Sequence, residues 1–222
     1  MQYRNYIFDL YGTLIDIHTD EQCAQTWKKW CRWLDHRGIR HAHYISMRRT
    51  FFEQDRLARK LALEEGMYSV PEIDVIPIYR KMFLEYGNDP FSQEELEEIS
   101  YAFRTASREY FRLFPEVEKG LAHIAKEGGR VYLLSNAQAS YTVPEIREMG
   151  LDRILDDILI SSDCGCMKPD PAFFEMLMKR HGMKREETVM LGDSLTSDQA
   201  GAIGAGIDFI HLPEGFRMKL LR

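Results

Sequence analysis

The sequence predicts an α/β fold: a doubly wound, Rossmann-like core with a five-stranded parallel sheet and an inserted α-helical cap domain. Two observations lead to this prediction. From about residue 115 to residue 213, short apolar runs alternate with segments of helical periodicity. A further apolar run, "NYIFDL", stands near the start of the chain, and a long stretch of helical pattern separates it from the others. Apolar strands that are separated by helices are typical of a parallel sheet covered on both faces.

The alternation of helix and strand repeats four times after residue 115. "VEKGLAHIAKEGG" has apolar residues at helical spacing and two closing glycines, and "RVYLLSN" after it is a short apolar run. The other helix and strand pairs are "VPEIREMG" with "DDILISS", "DPAFFEMLMKRHG" with "TVMLGDS", and "SDQAGAIGAG" with "IDFIHLP". Asp170 is expected to cap its helix, Pro171 to occupy the first position and Gly182 to end it. With "NYIFDL" as the first strand, the sheet has five strands.

The segment from residue 17 to residue 113 shows helical spacing and no recognisable strand. The predicted boundaries are therefore a core of residues 1–16 and 114–222 and a cap of residues 17–113. Two apolar stripes at spacings of three and four are interpreted as packing surfaces: Trp27, Trp30, Trp33 and Leu34, and then Phe52, Leu57 and Leu61. The charged segment "RRTFFEQDRLARK" is interpreted as a solvated helix face.

The composition excludes several classes of protein. The 222 residues are 45% hydrophobic and 29% charged, which is typical of a soluble globular protein with a substantial core. No apolar run is long enough for a membrane span and no signal peptide is recognisable, so we expect a cytoplasmic protein. The net charge of -6 argues against a broad nucleic-acid-binding surface. The four cysteines lack the spacing of a zinc site and are expected to be reduced: Cys23, Cys31, Cys164 and Cys166. The oligomeric state cannot be predicted.

Polar residues stand at the ends of the predicted strands. Asp9 follows "YIF", Ser135 and Asn136 follow "VYLL", Asp193 follows "VMLG", and Lys168 lies in the loop after "DDILISS". In an open parallel sheet, ligands bind beyond the carboxyl ends of the strands, beside the point where the strand order reverses. We therefore expect these side chains to converge on one site.

The residue types at these positions favour a metal and an anionic substrate. Asp9 and Asp193, with Asp198 close by, would repel one another unless a divalent cation lay between them, and carboxylate oxygens suit Mg²⁺. Lys168 and the Ser135 hydroxyl supply donors for a phosphoryl or carboxylate group. The expected partner is thus a small anionic substrate.

In this order, the four segments resemble the motifs of the haloacid dehalogenase (HAD) superfamily of hydrolases. They are "DLYGTL" at 9–14, "LLSN" at 133–136, Lys168 in "MKPD", and "LGDSLTSD" at 191–198. The helical insert lies where that superfamily has its type-1 cap. The resemblance implies that Asp9 is the nucleophile of an aspartyl intermediate, that Ser135 and the Asn136 amide hold the transferring group, and that Lys168 neutralises charge.

The resemblance also implies a set of metal ligands. Mg²⁺ would be held by Asp9, the backbone carbonyl of Tyr11 and Asp193, with Asp198 bound directly or behind them. Thr13 would lie in the turn that opens and closes under the cap.

Tyr11 departs from the phosphatase pattern. Phosphatases of the superfamily usually have a second aspartate there, which protonates the leaving oxygen and then activates water. Dehalogenases have tyrosine there, because halide leaves without a proton and no metal is needed. Dehalogenases also typically lack the acidic metal ligand of the fourth motif and have a Ser-Ser-Asn type sequence there, whereas this sequence has Asp193 and Asp198.

The favoured hypothesis is a Mg²⁺-dependent phosphatase that acts on a small phosphorylated metabolite through an aspartyl-phosphate at Asp9. The alternatives are a metal-independent 2-haloacid dehalogenase, which forms an ester at Asp9, and a weakly active or non-catalytic HAD-like binding protein. The Tyr11 hydroxyl and His18 are candidates to replace the missing acid. If Tyr11 slows a phosphatase, Tyr11→Asp should raise the turnover of alkyl phosphates.

Overall fold

The computed structural model describes residues 3–218 and has the predicted α/β architecture. The strands in chain order are β1 (Asn5–Phe8), β2 (Ile15–Thr19), β3 (Arg108–Leu113), β4 (Arg130–Ser135), β5 (Asp157–Ile160), β6 (Thr188–Gly192) and β7 (Asp208–His211). Five of them form a parallel sheet in the order β5, β4, β1, β6, β7. These are the five strands that the sequence predicts. The order reverses at β1, so the crevice for a ligand lies beside the carboxyl end of this strand.

Within residues 3–218, nine α-helices accompany the strands. The helices are α1 (Ala24–His36), α2 (Tyr44–Glu65), α3 (Ile76–Glu85), α4 (Gln93–Ser107), α5 (Val117–Lys126), α6 (Ala139–Glu148), α7 (Ser161–Cys164), α8 (Pro171–His181) and α9 (Ala200–Ala205). A π-helical turn, Leu195–Gln199, precedes α9, and two short 3-10 turns span Leu151–Arg153 and Arg185–Glu187. As predicted, α8 has Asp170 as its cap, with the side chain accepting from the Ala172 amide, and ends at the left-handed Gly182.

The alternation of side chains along the strands gives the sheet two buried faces. On one face, Phe8 of β1 and Leu133 of β4 belong to a cluster that includes residues of α5 and α6. On the other, Ile7 of β1 and Leu134 of β4 belong to a cluster that includes residues of α8 and α9. Helices therefore cover both faces, and the open edge at the strand ends is left for polar residues.

Helices α1 to α4 form the cap around an aromatic core. Trp27 and Trp30 are fully buried, and their rings lie 4.7 and 5.1 Å from the ring of Phe103. The interpretation of the tryptophan stripe as packing is therefore confirmed. The second stripe is wrong in part, because Leu57 and Leu61 are 48% and 50% exposed. The fully buried side chains of α2 are confined to its first half, and the face of its later turns that carries Leu57 and Leu61 is open to solvent.

A two-stranded antiparallel ribbon joins the cap to the core. The prediction of no strand between residues 17 and 113 is wrong, because β2 and β3 pair there, with Ile15 opposite Leu113. The two strands are short and pair across the whole length of the cap, so no local hairpin turn signals them. The exact boundaries of core and cap, at residues 16 and 114, stay a prediction.

Membrane-spanning helices and cysteine pairing can also be examined in the structure. No helix within residues 3–218 has both the length and the apolar character that a membrane crossing requires. All four cysteines are free thiols.

Candidate active site

Three carboxylates from the loops after β1 and β6 lie around Lys168. Asp9 follows β1, Ser135 ends β4, and Asp193 follows β6. The Lys168 ammonium lies 2.7 Å from Asp9 Oδ1 and 2.7 Å from Asp198 Oδ1, and its side chain is almost fully buried. Burial alone would lower the pKa of Lys168, but the two carboxylates raise it above its usual value. Lys168 is therefore a permanent cation at the centre of the site.

The carboxylates outnumber this cation. One oxygen from each of Asp9, Asp193 and Asp198 lies within 4.8 Å of the others. Burial raises the pKa of Asp9 to about 6 although Lys168 opposes the rise, and burial and Asp198 raise the pKa of Asp193. Three carboxylates around one ammonium leave an excess of two negative charges, which a divalent cation would neutralise. This donor set fits Mg²⁺. We call Asp9, Lys168, Asp193 and Asp198 the acidic site.

Gly12 lets the loop after β1 approach the loop after β6. Its φ is +85°, and a Cβ there would lie 2.5 Å from Asp193 Oδ2. Any other residue would have to move this carboxylate and would adopt a strained backbone. The glycine of "DLYGTL" is thus required by the close approach of the loop to Asp193.

Asp198 owes its position to the π-helical turn that follows β6. The Ser194 hydroxyl accepts from the Ser197 amide, and the Ser194 amide donates to Asp198 Oδ2 at 3.1 Å. Such π-helical turns are frequent at functional sites, because the wider turn changes the direction of a side chain. Here the turn brings Asp198 back to Lys168.

The hydroxyl of Ser135 has no hydrogen-bond partner in the described part of the chain, although the side chain is buried. Buried polar groups are nearly always paired, so a group without a partner is free to bind a ligand. The Asn136 side chain is engaged instead: Nδ2 donates to the Lys168 carbonyl and Oδ1 accepts from the Lys168 amide, both at 2.8 Å. Asn136 therefore positions the backbone of Lys168. Binding of substrate by the Asn136 amide stays a prediction.

Thr13 orients the carboxylate of Asp9. Its hydroxyl donates to Asp9 Oδ2 at 3.2 Å, opposite the oxygen that accepts from Lys168. The carbonyl of Thr13 accepts from the Phe216 amide at 2.8 Å. Both oxygens of Asp9 thus have a donor, which fixes the direction of the carboxylate.

A family model described as haloacid dehalogenase-like hydrolase matches residues 3–206. The chain belongs to this family. The phosphoserine phosphatase of Thermus thermophilus is 30% identical over 68% of the chain and 62% of its own length. The phosphoglycolate phosphatase of Nitrosococcus oceani is 28% identical over 71% of the chain and 62% of its own length. The chain thus spans less than two thirds of the length of these two relatives.

Solved structures of HAD proteins with different activities share the fold. A HAD phosphatase from Thermococcus onnurineus has a TM-score of 0.56 and 20% identity, over 94% of the chain and 86% of that structure. The L-2-haloacid dehalogenase from Xanthobacter autotrophicus, with chloropropionic acid covalently bound, has a TM-score of 0.55 and 16% identity, over 99% and 80%. The fold is therefore common to HAD phosphatases and dehalogenases, and the site must decide between them.

Tyr11 belongs to a second group of polar and charged side chains, beside the acidic site. Its hydroxyl donates to Glu145 on α6 and lies 3.0 Å from the Thr142 hydroxyl. Arg104 of the cap donates from Nε to Glu145 at 3.0 Å and from an Nη to Glu21 at 3.2 Å, and it lies 4.9 Å over the Tyr11 ring. We call Tyr11, Glu21, Arg104 and Glu145 the Arg104 cluster.

The Arg104 cluster limits what Tyr11 can do. Burial and the nearby Glu145 carboxylate raise the pKa of Tyr11 well above its ordinary value. A proton held this firmly is a poor acid, and the neutral hydroxyl is no base. Sequence reasoning missed Glu145 and Arg104, because each is an ordinary charged residue in a helix with no motif around it.

His18, the other candidate for the missing acid, lies outside the acidic site. It is on β2, more than half exposed, where it stacks on Tyr110 and lies 3.8 Å from Glu109. The sequence predicts that His18 belongs to the helical cap, but it lies on the ribbon of β2 and β3, which the sequence does not predict.

A cap segment also holds the loop that carries Lys168. The Met167 amide donates to the Val70 carbonyl at 3.0 Å. Asp170 accepts from the amide and hydroxyl of Ser69 at 2.7 and 2.8 Å, in addition to capping α8. Burial alone would raise the pKa of Asp170, but these hydrogen bonds lower it. The position of Lys168 therefore depends on the cap.

Proposed function

We propose that this HAD hydrolase is a Mg²⁺-dependent phosphatase of small phosphate monoesters. The observation that carries the proposal is the charge of the acidic site, where three carboxylates surround a single lysine. A site that handled a 2-haloacid without a metal would have to attract an anionic substrate against this negative excess. A bound divalent cation removes the difficulty, and the relatives named as phosphatases of small phosphate esters favour the same chemistry.

Asp9, Asp193 and Asp198 would hold Mg²⁺, together with the carbonyl of Tyr11 that the family resemblance implies. The cation would supply charge neutralisation for the phosphoryl oxygens. The Ser135 hydroxyl and the Lys168 ammonium would donate to these oxygens as negative charge develops on them.

Asp9 is the nucleophile in this proposal. A carboxylate oxygen bonds to phosphorus while the bond from phosphorus to the leaving oxygen breaks, which gives an aspartyl-phosphate and an alkoxide. The alkoxide takes its proton from water, because Tyr11 is engaged with Glu145. A second water then attacks phosphorus and the bond from phosphorus to the Asp9 oxygen breaks, which releases phosphate. The proton that this water loses neutralises the hydroxide left by the first. The net reaction consumes one water for each ester cleaved to alcohol and phosphate.

The test is release of p-nitrophenol and phosphate from p-nitrophenyl phosphate. We expect activity that requires Mg²⁺, is abolished by a chelator and is lost in Asp9→Asn, whereas Asp89→Asn, an exposed aspartate of the cap, keeps it. Phosphate release that continues in the chelator would refute the proposal.

The dehalogenase alternative has one observation in its favour, tyrosine at position 11. Its test is chloride release from 2-chloropropionate in the presence of the chelator. Chloride release there, without phosphatase activity, would establish the alternative, and silence in both assays would favour a binding protein.

A further inference from the structure

A cavity of about 240 Å³ lies between the cap and α6, beside the Arg104 cluster. Its lining includes Arg104, which stacks on Tyr11 two residues after Asp9, and Gln138, two residues after Asn136. The cavity therefore borders the loops that carry the acidic site. Its volume is below the ~300–1,000 Å³ of most pockets for drug-sized ligands, so it suits a group with a single ring.

Aromatic side chains form much of the cavity wall. Phe51, Phe52, Tyr79, Phe103 and Tyr141 all line it. The Gln138 side chain, which could recognise a polar ligand, is engaged: its amide donates to the Ile73 carbonyl at 2.8 Å and its oxygen accepts from the Val75 amide at 2.9 Å. Aromatic walls with few free polar groups favour a flat ring, and ring faces also attract cations.

The charges of the cavity are two arginines, each held between two carboxylates. Arg59 donates from Nε to Asp55 at 3.1 Å and from an Nη to the buried Glu72 at 3.0 Å. Arg104 lies between Glu21 and the buried Glu145.

This arrangement corrects the interpretation of "RRTFFEQDRLARK" as a wholly solvated face, because Asp55 and Arg59 of that segment line the cavity. Glu21 and Asp55 line the cavity with the two arginines, and Glu72 and Glu145 lie behind the arginines. Four carboxylates against two guanidinium groups leave an excess of two negative charges in and around the cavity. Arg108, 3.7 Å from Glu145, is itself paired with Glu148 at 3.2 Å and does not change the balance.

We propose that the leaving group of the substrate carries an uncharged or cationic planar ring, which occupies this cavity, and that the cavity rejects leaving groups with a carboxylate or a second phosphate. The inference rests on the proposed phosphatase function. An anionic group would meet guanidinium ions that already have two carboxylate partners each, and those carboxylates would repel it. Glycolate, the alcohol of phosphoglycolate, belongs to the rejected class.

The test is a matched series of benzyl phosphates, which differ only in the charge at the far end of the ring. We expect the catalytic efficiency, kcat/KM, to be at least about ten-fold lower for 4-carboxybenzyl phosphate than for benzyl phosphate and 4-(aminomethyl)benzyl phosphate. Equal or faster turnover of the carboxylate would overturn the inference while leaving the phosphatase proposal intact.

Variants locate the effect in the cavity. Asp55→Asn and Glu21→Gln each remove one carboxylate, so each should shrink the deficit of the carboxylated ester by about three-fold or more. The matched control is Glu98→Gln, which removes a carboxylate from an exposed pair with Arg37 on the cap and should leave the deficit unchanged. A deficit that neither cavity variant alters would show that the discrimination arises elsewhere and would overturn the inference.

A binding measurement distinguishes failure of this inference from failure of the phosphatase proposal. If neither p-nitrophenyl phosphate nor any ester in the series releases phosphate, the proposed function has failed, and calorimetric titration of the full chain with benzylamine and with benzoate at pH 7 still tests the cavity. Tighter binding of the benzylammonium ion supports the charge preference. Equal or tighter binding of benzoate contradicts it.

Discussion

The acidic site and the Arg104 cluster are two groups of buried and partly buried side chains that begin two residues apart, at Asp9 and Tyr11. In the acidic site one ammonium faces three carboxylates, and the neighbouring Ser135 hydroxyl has no partner within residues 3–218. In the Arg104 cluster the guanidinium lies between two carboxylates, and the Tyr11 hydroxyl donates to one of them. An unbalanced group of charges with a free donor indicates a place for a ligand. The ion pairs of the Arg104 cluster join the cap to the core, and Glu21 and Arg104 also line the cavity beside it.

The largest effect should come from Lys168→Met. Removing the ammonium leaves Asp9 and Asp198 without their buried partner, which should lower the free energy of unfolding by about 3–5 kcal/mol in a chelator. Phosphatase activity should fall by about 10²–10³-fold or more, because the phosphoryl group loses a donor. Thermal unfolding with and without Mg²⁺ measures the first effect, and p-nitrophenyl phosphate the second.

The same unfolding experiment, repeated with Mg²⁺, tests whether the acidic site binds a cation. Mg²⁺ should restore part of the stability lost in Lys168→Met, because a cation that binds only the folded protein stabilises it. Lys184→Met, which changes an exposed lysine, is the control and should resemble the unmodified protein. Equal stability of the two variants in the chelator would contradict the role assigned to Lys168.

Glu145→Ala should show a smaller effect that Mg²⁺ does not repair. The change removes the acceptor of both Tyr11 and Arg104, so the free energy of unfolding should fall by about 2–3 kcal/mol. Glu98→Ala, in the exposed pair with Arg37, should cost about 0–1 kcal/mol. If Mg²⁺ raised the melting temperature of Glu145→Ala more than that of the unmodified protein, the two clusters would not be separate.

The difference between the two groups also explains why the residues of the acidic site could be predicted from the sequence and those of the Arg104 cluster could not. The five strands follow from buried apolar runs, and Asp9, Ser135, Lys168 and Asp193 follow from their places at strand ends, where the fold itself brings residues together. Arg104 and Glu145 meet only through the packing of α4 on α6. Neither helix shows a pattern that marks its one buried charge, so local sequence could not predict the Arg104 cluster.

The ribbon and the cavity escaped prediction for a related reason. β2 and β3 pair with each other across the whole cap, and no turn between them marks the pairing. Asp55 and Arg59 have the spacing of an ordinary exposed ion pair on a helix, and they indeed form one, but they face α6 rather than solvent alone. Which face of a cap helix turns toward the core depends on tertiary packing.

Tyr11→Asp tests the comparison directly, because it introduces the aspartate that is usual in phosphatases at a position that lies in the Arg104 cluster. The sequence alone predicts faster turnover of alkyl phosphates, but in the structure the side chain at position 11 points toward the buried Glu145. We expect no gain in turnover from Tyr11→Asp alone, since like charges disfavour each other's ionised form. The double variant Tyr11→Asp with Glu145→Gln removes the repulsion and should turn over alkyl phosphates faster than the single variant. A gain in the single variant would show that Glu145 does not constrain position 11.

Tyr11→Phe should have the smallest effect on catalysis. It removes the hydroxyl but keeps the ring under Arg104, and Glu145 keeps its bond to Arg104, so the loss of stability should be at the lower end for a hydrogen bond to a charged group, about 1.5 kcal/mol. If Tyr11 is framework and not the acid, the rate on an alkyl phosphate should fall no more than the rate on p-nitrophenyl phosphate, whose leaving group needs no proton. A general acid contributes about 10²–10⁴-fold. A loss of that size confined to the alkyl ester would therefore place Tyr11 in the acidic site after all.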